Sequence, residues 1–446
     1  MKVLILGEGV SGKSAYNFLK KKGYDVQFAE DEKVVMQKSL QDKKFLDRLF
    51  CGLSFIVVSP GIPLDNFIIK NAKKRKIKIL GELELGAREI KGDIIAVTGT
   101  NGKTTTVSLI NFILTGTDKT IFLGGNIGTA VTSFADKTES DDISILECSS
   151  YQLESSKKFK PHISAILNIT PDHLIRHKTM KNYIKAKQKI AQNQTENDFM
   201  LINFDDEILM QNLPKTRAKT YFFSTKQKVF GCYIKSGCIY FNDNQKSIKL
   251  VSLKNIKLIG EHNLSNILCA CLAVYLETGC RKILSRISQF QGVNHRIEYV
   301  KTIDGVQFYN DSKATNIDST LVALKCFNGG ICLILGGSEK GYDFDNLFKC
   351  LPKNVKYIAV FGETKFKIIQ SAKKYHFNSI FKFDDLKSCV LACFKNAEQK
   401  DIVLLSPACA SFDQFKNFEE RGNVFKKIVK EIKVNENSLF ESKKTL

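Results

Sequence analysis

The chain has 446 residues, 43% of them hydrophobic, so it is long enough to bury sizeable cores in roughly two to four domains. Its 67 Lys and Arg against 46 Asp and Glu give a formal charge of +21, which favours anionic partners. The basic residues are scattered, however, and no aromatic-interleaved basic cluster marks a nucleic-acid groove.

No apolar run approaches the roughly 20 residues of a membrane span. Thirteen cysteines, an odd number with no Cys-x-x-Cys pair, are expected to be reduced thiols in a cytoplasm. Apolar β-rich runs alternate with helical patterns almost throughout, which predicts α/β domains with mostly parallel sheets.

The opening "MKVLILGEGVSGKS" has an apolar core of five residues and reads as a strand at Lys2–Leu6 rather than an export signal. A helix near Ser11–Lys22, a strand at Asp25–Ala29 and a strand "FIVV" (Phe55–Val58) follow. The pattern restarts near "EIKGD" with a strand at Ile94–Val97 and a helix from Lys103. Strands "ISIL" (Ile143–Leu146) and "ISAIL" (Ile163–Leu167), a helix near Met180–Gln192, a hairpin-like "GCYIKSGCIYF" and a helix Asn263–Thr278 complete the second run. A third run begins near Ile297, with strands at "ICLIL", "YIAVF" and "DIVLL"; only the tail "NENSLFESKKTL" reads as disordered or frayed. The expected domains are 1–90, 91–296 and 297–446, and the suggestive motifs fall at carboxyl ends of strands, where parallel sheets gather ligands.

Gly7-x-Gly9-x-x-Gly12 follows a strand and opens a helix, a geometry that suits a diphosphate at the helix amino-terminus. With an acid at Glu30 or Asp31, the pattern fits a nicotinamide enzyme, another diphosphate ligand or an unliganded turn. "VTGTNGKTT" (Val97–Thr105) is more informative. Gly99 and Gly102 stand closer than in the common G-x-x-x-x-G-K-[ST] loop, yet strand, glycine turn, Lys103 and a hydroxyl at a helix start are all present. Thr104 would then meet Mg²⁺.

Glu147, just past "ISIL", could hold Mg²⁺ or be an ordinary solvated strand-end acid. "LNITPDHLIRH" places Asn168, Asp172, His173 and His177 after a strand. His173 alone would be structural, and near phosphates and Glu147 it becomes a metal ligand or an orienter. His177 and His162 have weaker cases. "YNDSKATN" and "LLSPACASFDQFKNFEERG" carry more polar groups than helix caps require, and "LGGSEKGYDF" adds Lys340 in a third strand-end loop.

The order of "LILGEGVSGKS", "TGTNGKTT", "GGNIG", "ECSSYQLE", "LNITPDHL", "YIKAK", "IGEHNLSN", "HRIE", "NDSKATN" and "LSPACASFDQFKNFEERG" closely resembles the Mur ligases, ATP-dependent amide-bond-forming enzymes of peptidoglycan synthesis. Within that family "NDSKATN" and "SPACASFDQFKNFEERG" look like the D-glutamate-adding branch. There is no Asp-Asn-Pro-Arg, the signature of diaminopimelate or lysine addition, and Asn101 stands where the alanine-adding branch usually has His. The resemblance implies a Rossmann-like amino-terminal domain, a central P-loop-type ATPase domain and a Rossmann-like carboxyl-terminal domain. It implies a cytoplasmic, monomeric, ADP-forming ligase that joins D-glutamate to UDP-N-acetylmuramoyl-L-alanine through an acyl phosphate, with ATP and two Mg²⁺ ions. Neither nucleic acid nor membrane is an implied partner.

The same resemblance implies residue roles. Gly99, Thr100, Asn101, Gly102, Lys103, Thr104 and Thr105 would hold the ATP phosphates, with Lys103 on the terminal ones, and Thr104 and Glu147 would share one Mg²⁺. Lys187 matches the family's carbamylated lysine and with His173 would hold the second Mg²⁺, since carbamylation turns a repelling ammonium into an anionic oxygen ligand. On its own chemistry Lys187 reads as a surface lysine of a basic helix. Asn263, Asn266, Arg296 and Asp311 would meet adenine and ribose, with Lys313 near the phosphates. Val10, Ser11 and Asn126 would meet the UDP-sugar, and Ser149 also falls on the substrate side. Thr315, Lys340, Ser411 and Phe418 would form the D-glutamate pocket, Lys340 as a compact cation for a carboxylate.

Two positions depart from the family pattern: Ile175 stands where an acid is usual, and "AEDE" (Ala29–Glu32) replaces a Thr-Arg pair at the uracil. Another Mur-type ligase or folylpolyglutamate synthase would share the plan, the latter without "SPACASFDQF". A nicotinamide-dependent oxidoreductase would leave Gly99–Thr105 and the third domain idle.

Overall fold

The computed structural model describes residues 1–432 apart from 255, 257, 259, 291, 340 and 342. Lys340 and the tail 435–446 therefore lie outside the described residues. Three sheets form. The first has the order Asp25–Phe28, Lys2–Leu6, Leu53–Val58, Lys78–Gly81, and every pairing is parallel. Val3 and Ile5 face one apolar cluster with Phe18 and Leu19, while Leu4 and Leu6 face another with Ile68 and Ile69. Burial on both faces explains why the central strand Lys2–Leu6 reads as an apolar run instead of an alternating one.

The second sheet has nine strands, running from Ser247–Ser252 at one edge to Ile121–Gly125 at the other, with Asp93–Thr98 between Ile163–Ile166 and Ile143–Glu147. Its ladder is parallel from Ile121–Gly125 as far as Gly231–Lys235, and the last two pairings are antiparallel. The hairpin at "GCYIKSGCIYF" is Gly231–Lys235 with Cys238–Asn242, as its sequence suggested. The third sheet orders Glu298–Ile303, Val306–Asn310, Ile402–Leu405, Ile331–Gly336, Val355–Phe361, Ile380–Lys382, antiparallel only in its first pair.

The chain divides into two compact units. One comprises residues 1–256 and 262–290 and carries the first two sheets; the other comprises 257–261 and 291–446 and carries the third. Among the described residues no helix is long and apolar enough to cross a membrane. Elements came out close to their expected bounds, except that the helix expected near Met180–Gln192 is α-helical over Met180–Gln188 and continues as a 3₁₀ turn, Lys189–Ala191.

Candidate active site

Gly99–Gly102 links strand Asp93–Thr98 to helix Lys103–Leu114. Gly102 takes φ +84° as the helix cap, and a Cβ there would come 2.2 Å from Asn266 Oδ1. Only glycine fits both the left-handed turn and that approach. The loop is braced from the next strand end: Asn168 Oδ1 accepts from Asn101 N (2.8 Å) and Asn168 Nδ2 donates to Asn101 O (3.1 Å). The Thr100 hydroxyl lies 3.0 Å from the Tyr183 hydroxyl and accepts from Thr170 N (3.0 Å).

Two lysines converge on one carbonyl. Lys103 Nζ donates to Gly99 O and Thr100 O, both at 2.8 Å, and Lys187 Nζ donates to Gly99 O at 2.7 Å. Lys187 is 2% exposed and lies over the Tyr183 ring, 4.7 Å from its centroid. The surface-lysine reading is thereby corrected: Tyr183, Ile184 and Lys187 share the inward face of helix Met180–Gln188. Burial, and then the neighbouring Lys103 charge, hold the Lys187 amine well below the usual lysine range.

Glu147 is buried at 3% exposure. Its Oε2 accepts from Thr104 Oγ1 (2.8 Å) and its Oε1 from Asn126 Nδ2 (2.9 Å). Both of these side-chain donors are neutral. Asn126, expected at the UDP-sugar, places its amide on the same carboxylate as Thr104.

His173 sits in the left-handed region (φ +54°) at the start of helix Leu174–His177, with Nδ1 3.1 Å from the Tyr151 hydroxyl and Nε2 3.4 Å from Asp172 Oδ2. Burial lowers its pKa first; Asp172 opposes that shift, while Lys187 and Lys103 add to it. His177 is a structural residue, buried with Nε2 3.0 Å from Ser150 Oγ and its ring against Tyr183. Ile175, where the family usually has an acid, is 93% exposed.

Asn263 and Asn266 lie on helix Glu261–Thr278, and Asn266 Nδ2 donates to Asn263 Oδ1 (3.0 Å) beside Gly102. Ser149 is absorbed by a capping box with Gln152, its Oγ accepting from Gln152 N.

At the first sheet, Gly7 has φ +95° and a Cβ on Gly12 would fall 1.8 Å from Gly7 O, so the third glycine admits the helix to the turn. Val10 (74% exposed) and Ser11 open helix Val10–Lys21. The acids of "AEDE" serve local structure: Glu30 pairs with Lys38, Asp31 caps helix Glu32–Gln41 through Lys33 N, and Glu32 accepts from Phe67 N.

In the other unit, Asp311 is buried with Oδ2 accepting from Ser406 Oγ (2.8 Å) and Oδ1 from Ile297 N (3.2 Å); burial raises its pKa to about 7, against the lowering effects of Ser406 and Arg296. Arg296 lies in the turn with Val293. Lys313 N donates to His295 O, and Lys313 Nζ lies 5.7 Å from the Phe418 ring centroid. Thr315 follows on the same loop, and Ser411 is buried in the loop after Ile402–Leu405. Among the described residues no ready cluster of three His, Cys, Asp or Glu side chains could hold a metal ion. Residues the sequence did not single out are Tyr183, Tyr151, Arg176 and Arg421. Arg176 pairs with Glu154 and donates to the Gly61 and Ile62 carbonyls.

Residues 1–81 match the family model described as Mur ligase MurD-like, N-terminal domain; residues 97–274 match the Mur ligase middle domain, and residues 295–409 the Mur ligase, glutamate ligase domain. A UDP-N-acetylmuramoylalanine–D-glutamate ligase of Thermoanaerobacter sp. (strain X514) is 40% identical over 97% of this chain and 98% of its own length. An enzyme of the same name from Koribacter versatilis (strain Ellin345) is 38% identical over 97% of each. Among solved structures, a UDP-N-acetylmuramate–alanine ligase from Thermotoga maritima has TM-score 0.58 at 20% identity over 96% of this chain and 99% of its own. A MurF ligase from Thermotoga maritima in complex with ADP has TM-score 0.57 at 19% identity over 87% of this chain and 92% of its own.

By its fold and its site this chain is a ligase of the α/β type, and it belongs to the Mur ligase family. Its curated relatives at this level of identity carry the name of the D-glutamate-adding member.

Proposed function

We propose that the chain joins D-glutamate to UDP-N-acetylmuramoyl-L-alanine in the cytoplasm, converting ATP to ADP and phosphate. Near-full-length relatives of that name support the substrates. The observation that carries the chemistry is the convergence of Lys103 and Lys187 on the Gly99 carbonyl, with the buried Thr104–Glu147 pair at the start of the helix that follows this loop.

The terminal phosphoryl group of ATP passes to the substrate carboxylate, giving an acyl phosphate and ADP. The D-glutamate amine then attacks the acyl carbon, loses its proton, and phosphate leaves from the tetrahedral intermediate. Gly99–Thr105 and Lys103 would cradle the phosphates, offsetting the charge that gathers when carboxylate and triphosphate meet. Asn263 and Asn266, with Arg296 and Asp311, would hold adenosine, with Lys313 near the phosphates, while Val10 and Ser11 take the UDP end. Thr315, Lys340, Ser411 and Phe418 would take D-glutamate.

A buried carboxylate that accepts from the neutral Thr104 hydroxyl and Asn126 amide fits a divalent cation, so Thr104 and Glu147 would hold one Mg²⁺. When bound, Mg²⁺ supplies charge neutralisation for the transferring phosphoryl group. Lys187 suits carbamylation because a buried amine held below its usual pKa is neutral enough to attack carbon dioxide. The resulting carbamate, with His173, would serve a second Mg²⁺. Domains 1–90, 91–296 and 297–446 would carry the UDP-substrate, ATP and amino-acid functions. Phosphate release from ATP, measured with each candidate amino acid and muramoyl acceptor, tests the assignment. Release with UDP-N-acetylmuramoyl-L-alanine plus D-glutamate is expected, and release with a different pair instead refutes the substrate reading.

A further inference from the structure

Arg421 is the largest fully buried side chain among the described residues, at 0% exposure, and no carboxylate among them pairs with it. It sits one turn into helix Phe418–Glu431. Its guanidinium is spent on loops: Nε donates to Ser312 Oγ (2.9 Å), Nη2 to Ser312 O (2.9 Å) and Cys409 O (3.0 Å), and Nη1 to Ala410 O (3.1 Å). Ser312 Oγ in turn donates to Phe418 O (2.8 Å). Ala410 O also accepts from Ser338 N (2.9 Å), two residues past strand Ile331–Gly336. One planar cation thus ties together the ends of strands Val306–Asn310, Ile331–Gly336 and Ile402–Leu405 and the start of a helix.

Burying an unpaired cation is costly, and here burial pulls the guanidinium pKa down to about 10. A fork of fixed N–H directions that satisfies several carbonyls is what a lysine or an apolar side chain cannot reproduce. The held loop is itself strained, since Ala408 is buried at φ +57°. A strained loop keeps its shape only where its surroundings over-determine it.

We infer that Arg421 is a positioning residue that sets the amino-acid pocket by fixing the 312–315 and 409–411 loops, with Ser338, against Phe418. The inference rests on the proposed placement of the amino acid at Thr315, Ser411 and Phe418. Asp311 has its own anchors in Ser406 and Ile297, and Lys313 N has His295 O, so the nucleotide side depends on Arg421 less.

The test uses the full chain and its phosphate-release reaction, varying amino acid and ATP separately in Arg421→Lys, Arg421→Ala and Ser312→Ala. A wild-type control with several amino acids first fixes which one is used, so an error in the D-glutamate assignment is seen before any variant is measured. Arg421→Lys is expected to lower kcat/KM for that amino acid about 100-fold, mainly through KM, with KM for ATP changed far less. Ser312→Ala, which keeps the guanidinium, moves the same ratio in the same direction by a smaller factor. Added guanidinium restores part of the amino-acid affinity of Arg421→Ala. Folded variants with wild-type KM for the amino acid, or with both KM values raised equally, overturn the inference. A melting-temperature drop that guanidinium does not relieve, with kinetics unchanged per folded molecule, also overturns it.

Discussion

Replacing Glu147 with glutamine isolates the charge of one buried side chain. The carboxylate is 3% exposed and accepts from Thr104 Oγ1 at 2.8 Å and Asn126 Nδ2 at 2.9 Å. Glutamine keeps the volume and one acceptor; the Thr104 hydroxyl can turn to accept from its amide, so one contact survives with reversed direction. Losing a charge-assisted bond costs about 1.5–3 kcal/mol. That loss is offset by no longer burying a charge that lacks a cation. Unliganded stability should therefore move by no more than about 1–2 kcal/mol.

The ligand-bound state differs. For the wild type, Mg²⁺–ATP at about 100 times its Kd adds about 2.7 kcal/mol. That corresponds to roughly 5–11 °C in melting temperature, at about 2–4 °C per kcal/mol for large domains. Glu147→Gln should lose most of that shift, and kcat should fall about 100- to 1,000-fold. Thermal melts with EDTA, Mg²⁺ alone and Mg²⁺–ATP, beside phosphate release, check both numbers. A variant that keeps the wild-type Mg²⁺–ATP shift and turnover refutes the metal role of Glu147.

Gly102→Ala forces an alanine to φ +84° with its Cβ 2.2 Å from Asn266 Oδ1. The left-handed turn costs about 1–2 kcal/mol and disturbing the Asn266–Asn263 bond about 1 more, so a lower melting temperature and a raised KM for ATP are expected; an unchanged KM contradicts the loop geometry. Lys187→Ala should collapse turnover and regain part of it with acetate or propionate, and ¹³C-bicarbonate should label the wild type at a carbamate carbon but not the variant. Full activity in Lys187→Ala ends that assignment. Asp311 has a folded pKa near 7 against about 4 for a free Asp, so between those values only the folded state keeps the proton. Its contribution is fully present below pH about 4 and is lost as pH rises to about 7, at up to about 1.4 kcal/mol per pH unit. Denaturant titrations across that window should show a shallower fall in Asp311→Asn, and identical slopes would refute the raised pKa.

The positions of the strands along the chain and the loop-end placement of motifs were legible because parallel strands buried on both faces leave continuous apolar runs, and glycine turns punctuate them. The burial of Lys187 was not legible from composition, since helix Met180–Gln188 carries three lysines and only one turns inward. A helical-face reading would have found it, because Lys187 follows Tyr183 by one turn on the stripe that also holds Ile184. The acids of "AEDE" left a nicotinamide site, another diphosphate site and an unliganded turn open, and in the fold Asp31 caps a helix, Glu32 meets Phe67 N and Glu30 pairs with Lys38, partners that lie outside the motif itself. Arg421 escaped notice because arginine is seldom fully buried, and nothing in "FEERG" marks which charge is enclosed.

The shortness of the Gly99–Gly102 loop has a physical consequence that Asn168 exposes. A shorter loop offers fewer backbone groups to fix its own shape, and here the bracing comes from outside, through the reciprocal Asn168–Asn101 pair and the Thr100–Thr170–Tyr183 contacts. Asn168→Ala removes two hydrogen bonds on a partly exposed loop, together worth about 1–2 kcal/mol. The phosphate-binding shape would then be one conformer among several, and the affinity for Mg²⁺–ATP should fall about 5- to 30-fold at little change in kcat at saturation. Calorimetric titration of Mg²⁺–ATP measures the loss directly. If Asn168→Ala binds as tightly as the wild type, the loop holds its shape unaided and the compensation by the neighbouring strand end is wrong.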